Sequence, residues 1–270
     1  MTFAETIDIV KNLCEQHKVI PLFAFRNGSK AYGYDNANSD DDILFVYYRQ
    51  PLDYFSLKEV DNEFKHPELD IKGWDIRKFI SILAKNGWNT YEALHNESWT
   101  ASDTANKLLT SLISIAHKNI DVKKITNTML CCALRDRTKY LTNQDKAKKV
   151  KACLSFARMN LSARYLFFTK EYPPVKFETL VGTLEANLEN KSDFEIPYDI
   201  IAFLKFLMYT RKSMSLENIN LKHMDMIMEV LFVAHQKIMT LNDNLGDTSK
   251  MGYVSKYEKL LKEFFQSQLK

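Results

Sequence analysis

Near residue 100 the periodicity of this chain changes, and no other feature restricts its fold as much. Before that point, short β-rich runs alternate with turn signals: Val19 to Phe25 (VIPLFAF), Ile43 to Tyr48 (ILFVYY) and an edge-like run from Leu69 to Trp74. Beyond about Asp103, apolar residues recur at i, i+3 and i+4 through Leu108 to Ala116, Met129 to Tyr140, Val150 to Phe168, Ile200 to Leu207 and Met224 to Met239. That spacing belongs to helices with one buried face. Asp103 is expected to cap the first of them, and Tyr172-Pro173-Pro174 must end another, because proline cannot continue a helix interior. The reading is α+β: residues 1–100 form a small mixed sheet with helices, and residues 101–270 form an all-α domain.

Composition narrows the alternatives. With 46% apolar residues in 270, the chain can build a real core, so disorder is excluded as its dominant state. Seven glycines and six prolines are too few for a many-stranded sandwich or barrel. Of the four cysteines, Cys131 and Cys132 are adjacent, which gives neither a CxxC metal spacing nor a disulfide framework; all four are expected as thiols. The segment MTFAETIDIVKNLCEQHK carries charges throughout, where an export signal has an unbroken apolar stretch. Ile200 to Tyr209 is interrupted by Lys205 and is shorter than the roughly 20 residues that cross a bilayer. A cytoplasmic protein without a membrane partner is expected.

The net charge of +3 conceals an uneven distribution. Residues 1–100 hold 11 Lys and Arg against 16 Asp and Glu, whereas residues 107–170 hold 14 against 3. Local fields, not the sum, decide what a surface attracts. An acidic first part is suited to cations, and a basic face in 107–170 is suited to anions.

Residues 25–46, FRNGSKAYGYDNANSDDDILFV, carry the chemistry. A β-run ends at Gly28-Ser29, where glycine permits close backbone approach and a helix start offers unpaired N–H groups to phosphate oxygens. Ten residues on, Ser39-Asp40-Asp41-Asp42 leads into the apolar run ILFVYY. In an extended strand Asp40 and Asp42 project from one face and Asp41 from the other. Two carboxylates a few ångströms apart repel by several kcal/mol in a partly buried site. A hard cation relieves that repulsion, and Mg²⁺ is commonly held by one or two carboxylates plus substrate phosphates. A third acid is sought in LDIKGWDIRK, where Asp70 opens a short β-run; Asp75 has an alternative role as the N-cap of the following helix, so Asp70 is favoured. Gly28 to Gly33 fits neither GxGxxG nor GxxxxGK[ST].

Gly-Ser followed about ten residues later by Asp-x-Asp on a strand resembles the DNA polymerase beta superfamily of nucleotidyltransferases. GSKAYGYDNANSDDD, DIKGWDIRKF and TYEALH are similar, more narrowly, to the predicted nucleotidyltransferases of RNA repair pathways. The likeness continues into the helical part, where KACLSFARMNLSARYLFFTKEYPPVKFETL carries a Lys-x6-Arg helix and a Pro-Pro-x-x-Phe-x-x-Leu turn; it covers about residues 20–185. The resemblance implies a palm-like catalytic domain over 1–100, Mg²⁺ or Mn²⁺ on Asp40, Asp42 and Asp70, and nucleotide phosphates on Gly28 and Ser29. Transfer of a nucleoside monophosphate from an NTP, ATP being favoured, to an acceptor hydroxyl follows from it, with an RNA 3′ end as the favoured acceptor.

Lys151 and Arg158 stand two helical turns apart, so both are assigned to a triphosphate or an RNA backbone, with Lys146, Lys148 and Lys149 widening the positive surface. Other readings stay open. The same motifs suit a protein or small-molecule adenylyltransferase, and a non-catalytic RNA-binding module would retain the fold. Ser29 also suits a helix cap, and Tyr32 suits packing as well as base stacking. Trp74 and Trp88 are assigned to the core, and His95 is the one histidine with a case for function beside a structural role.

Overall fold

In a computed structural model, residues 2–57, 60–188, 197–246 and 253–269 are described. Five strands form one mixed sheet in the order β3-β4-β2-β1-β5. They are β1 Ile20–Asn27, β2 Asp42–Tyr48, β3 Glu63–Lys65, β4 Ile71–Asp75 and β5 Ser98–Thr100. β1 pairs antiparallel with β2 and β5, and β2 pairs parallel with β4. The expected edge position of the Leu69 to Trp74 run is corrected: β4 lies inside the sheet, because the three-residue β3 pairs along its outer side. That strand is too short and too polar (EFK) to stand out by alternation.

Two compact units account for the packing: residues 1–31, 40–119 and 250–270 form one, and 32–39 with 120–249 form the other. The last strand ends at Thr100, where the helical periodicity begins, but α5 (Asp103–Lys118) and the C-terminal helix α11 (Tyr253–Gln268) pack within the sheet unit. Ser102, not Asp103, caps α5: its hydroxyl accepts from the Ala105 N–H, so Asp103 is the first helical residue. Ser and Asp are equivalent caps by propensity, which offers no reason to choose between neighbours.

Within the sheet unit, β1 and β2 are buried on both faces, as their unbroken apolar runs require. On one face, α1 (Phe3–Gln16) sets Ile7, Val10 and Leu13 against Ala24, Ile43, Phe45 and Ile71. On the other, Phe79 of α3 (Ile76–Ala84) stacks on Phe25 with ring centroids 5.8 Å apart. The five-residue α2 (Gly28–Tyr32) follows β1 directly, and α4 (Trp88–His95) precedes β5.

Among the described residues, the second unit is helical apart from residues 32–39 and the segments that join its helices. Its helices are α6 (Val122–Thr142), α7 (Lys146–Thr169), α8 (Phe177–Leu188), α9 (Tyr198–Lys212) and α10 (Leu221–Asp243). α7 is its spine: every residue from Phe156 to Arg164 is buried, so the middle of this helix is covered on all sides.

Candidate active site

β1 ends at Asn27, and Gly28 turns the chain into α2 with φ +68°, a left-handed conformation that glycine adopts without strain. Asn27 is registered opposite Asp42, so the turn and the first residue of β2 meet at one end of the antiparallel pair. The approach is close. A Cβ on Gly28 would lie 3.0 Å from both the Cβ and the Oδ2 of Asp42. The Gly-Ser bend and one acidic side chain are thus neighbours, and the N–H groups in the first turn of α2 have no partner within the helix.

The three consecutive acids differ in environment. Asp40 is exposed, Asp41 is buried and Asp42 is half-buried. β2 begins only at Asp42, so strict alternation of side chains starts there and Asp40 belongs to the preceding connection. The Asp41 carboxylate accepts from Lys30 Nζ at 2.6 Å and lies 3.7 Å from Arg26 Nε.

Asp70 sits beside this end of the sheet. The Ile43 N–H donates to the Asp70 carbonyl at 2.9 Å, and Ile43 is registered with Ile71. Asp42 and Asp70 therefore occupy matching places at the starts of neighbouring parallel strands, whose axes run roughly 5 Å apart. Asp75 lies at the far end of β4, level with Tyr47. It is fully buried, caps α3 by accepting from the Arg77 N–H at 2.8 Å, and accepts from the Tyr54 hydroxyl at 2.8 Å. Its hydrogen-bond capacity goes to structure.

The bend has further supports that sequence reasoning missed. Asn96, the residue after α4, donates from its side-chain amide to Asn27 Oδ1 at 2.7 Å, and Arg26 pairs with Glu97 at 2.8 Å. Both partners directly follow the TYEALH block, and adjacency to that block was the available signal. His95 has a structural arrangement of its own. Its Nδ1–H donates to the Tyr91 carbonyl at 2.7 Å, which leaves Nε2 to accept from His117 Nε2, also at 2.7 Å. Burial holds its pKa below the ordinary histidine value.

Lys151 and Arg158 belong to the helical unit, and their environments differ. Lys151 is exposed near the start of α7. Arg158 is 5% exposed, with its guanidinium 3.5 Å from the centroid of the Tyr32 ring. The two-turn spacing aligns them along the helix, but the burial of α7 becomes complete between them, so they do not share an exposed face. Tyr32 itself packs within that unit, as does Tyr34, whose carbonyl accepts from the buried Arg211 Nε at 2.8 Å. Trp74 is buried and Trp88 half-buried.

A family model described as the RNA repair pathway DNA polymerase beta family matches residues 5–195. The chain belongs to that family. This RNA repair pathway polymerase beta family member is also similar to the uncharacterized protein YcgL of Bacillus subtilis (strain 168), at 27% identity over 197 residues; the match covers 70% of this chain and 72% of YcgL. Membership points to polymerase-beta-type nucleotidyl transfer in RNA repair, a class that acts with divalent metals. Among the described residues, no three His, Cys, Asp or Glu side chains converge closely enough to hold a metal ion by themselves. The donor set nevertheless fits a hard cation of the Mg²⁺ kind: carboxylate oxygens only, beside the Gly28 bend, a shell that substrate oxygens would complete. No helix among the described residues is long and apolar enough to cross a membrane.

Proposed function

We propose that this protein is a cytoplasmic, Mg²⁺- or Mn²⁺-dependent nucleotidyltransferase that moves a nucleoside monophosphate from an NTP to an acceptor hydroxyl and releases pyrophosphate. The favoured nucleotide is ATP and the favoured acceptor is an RNA 3′ end. One observation carries the reading: the Asp42 carboxylate lies against the Gly28 bend, where a Cβ would come within 3.0 Å of its Oδ2.

Asp40 and Asp42 would hold the ions with help from Asp70. A bound divalent cation neutralises the triphosphate and lowers the pKa of the attacking hydroxyl. Gly28 and Ser29 grip the leaving phosphates through backbone N–H groups, and the Ser29 hydroxyl adds a donor. Lys151 and Arg158 are assigned to phosphate or RNA, Lys151 from an exposed position and Arg158 with its guanidinium on the Tyr32 ring. Fixed donors of this kind accelerate transfer by orientation and by stabilising developing charge.

Asp42→Asn keeps the shape of the side chain and removes its charge, so turnover is expected to fall by roughly a thousandfold or more, with the fold intact by circular dichroism. The assay offers each labelled NTP with Mg²⁺ to separate pools of RNA and protein. Wild-type rate in the variant overturns the mechanism, and label appearing in the protein pool alone overturns the RNA acceptor.

A further inference from the structure

Between the two acids assigned to metal stands a third, Asp41, that the proposed chemistry leaves unused. Its side chain is 2% exposed. A buried carboxylate is costly unless charge and hydrogen bonds compensate it. Lys30 Nζ, at 2.6 Å, is within reach of a short charge-assisted bond, whereas Arg26 Nε, at 3.7 Å, is an ion-pair neighbour beyond hydrogen-bond distance.

The placement of the pair matters more than its strength. Lys30 lies in α2, two residues after Gly28, and Asp41 lies one residue before Asp42. Eleven positions apart in the chain, the two fasten α2 to the entrance of β2. Buried ion pairs often add little net stability over apolar replacements, and their best-attested use is to fix one geometry among several. Here the geometry fixed is the one between the Gly-Ser bend and the first acid of β2.

We infer that Asp41 is a positioning residue whose ion pair with Lys30 sets the distance between the Gly28-Ser29 bend and the Asp42 carboxylate. The importance of that distance rests on the nucleotidyl-transfer reading, but the tether itself does not. Asp41 is thereby also removed from the metal ligands, because its charge is matched by Lys30.

The test uses the full chain as wild type, Asp41→Asn, Lys30→Met, the double variant and Lys30→Arg. Backbone amide hydrogen exchange is followed at residues 31–33, whose N–H groups close the turns of α2, and at 71–75, and kcat and KM are measured for labelled NTP with saturating Mg²⁺. Each charge-removing single variant is expected to speed exchange at 31–33 at least tenfold while 71–75 stay unchanged. Each should lower kcat more than tenfold with KM within threefold. The double variant should be no worse than the worse single, and Lys30→Arg should stay within threefold of wild type. Unchanged exchange at 31–33, a uniform rise across the sheet, or wild-type kcat in Asp41→Asn overturns the assignment. If the wild type transfers no nucleotide while the localised exchange effect is present, the tether stands and the transfer reading falls.

Discussion

His235 illustrates how burial sets the behaviour of a single group. In α10 it is 1% exposed, its Nδ1 pairs with Asn160 Oδ1 at 3.1 Å, and its Nε2 has no hydrogen-bond partner among the described residues. Phe156 and Phe232 stack on it with centroids 6.3 and 6.0 Å away. A charge there would be both desolvated and close to Arg137, and the pKa is pushed down to about 4. The unfolded chain takes up a proton near pH 6.5, which the folded chain refuses until about pH 4. This group therefore costs no stability above about pH 6.5 and destabilises the fold progressively as pH falls toward 4. His235→Gln, which stays neutral, should shrink the loss of Tm between pH 7.5 and pH 5 by about 5 °C. An identical pH profile in the two proteins, followed by thermal melting, counts against this account.

Among the elements, β4 shows what backbone proximity demands. A Cβ on Gly73 would come far inside contact distance of the ring of Phe45, which is fully buried. Gly73→Ala must displace that ring or the strand, and overpacking of this kind costs about 1–3 kcal/mol. Urea denaturation should show a lower midpoint with an unchanged slope; an undisturbed midpoint means that the sheet yields there freely.

Strands β1, β2 and β4 and helices α5, α6, α7, α9 and α10 were legible because each repeats a period of two or 3.6, or runs unbroken and apolar, over enough residues. β3 was not, since three residues carry no period. The site was partly legible. Gly28, Ser29 and Asp42 stand out through spacing in one short stretch, and Asp70 through its position before a β-run. Lys30 with Asp41, and Asn27 with Asn96, stay hidden, because their meaning depends on pairing across 11 and 69 positions. Arg158 shows the opposite failure: a charged residue at helical spacing reads as surface, but a helix buried all round carries its arginine inward.

At the scale of the molecule, the part of the positive charge of residues 107–170 that lies at the start of α7 is the proposed RNA surface. Lys148 and Lys151 are exposed in the first turns of α7, flanked by the half-buried Lys146 and Lys149. If these four lysines meet phosphates of a single strand, log K should fall with log salt at a slope of about −3. Lys148→Ala combined with Lys151→Ala should reduce that slope by roughly 1.4. A filter-binding titration across salt concentrations reads both values, and a slope unaffected by the double change would place RNA elsewhere.

The sheet unit draws α11 from beyond α10, and this helix packs on α3 and α5. Synthesis thus imposes an order on assembly. Among the described residues, the five strands precede α6 to α10 in the chain, yet the covering for α3 and α5 follows them. The sheet unit is therefore completed only after those helices have been made, and until then its nascent form keeps an apolar flank that chaperones can hold.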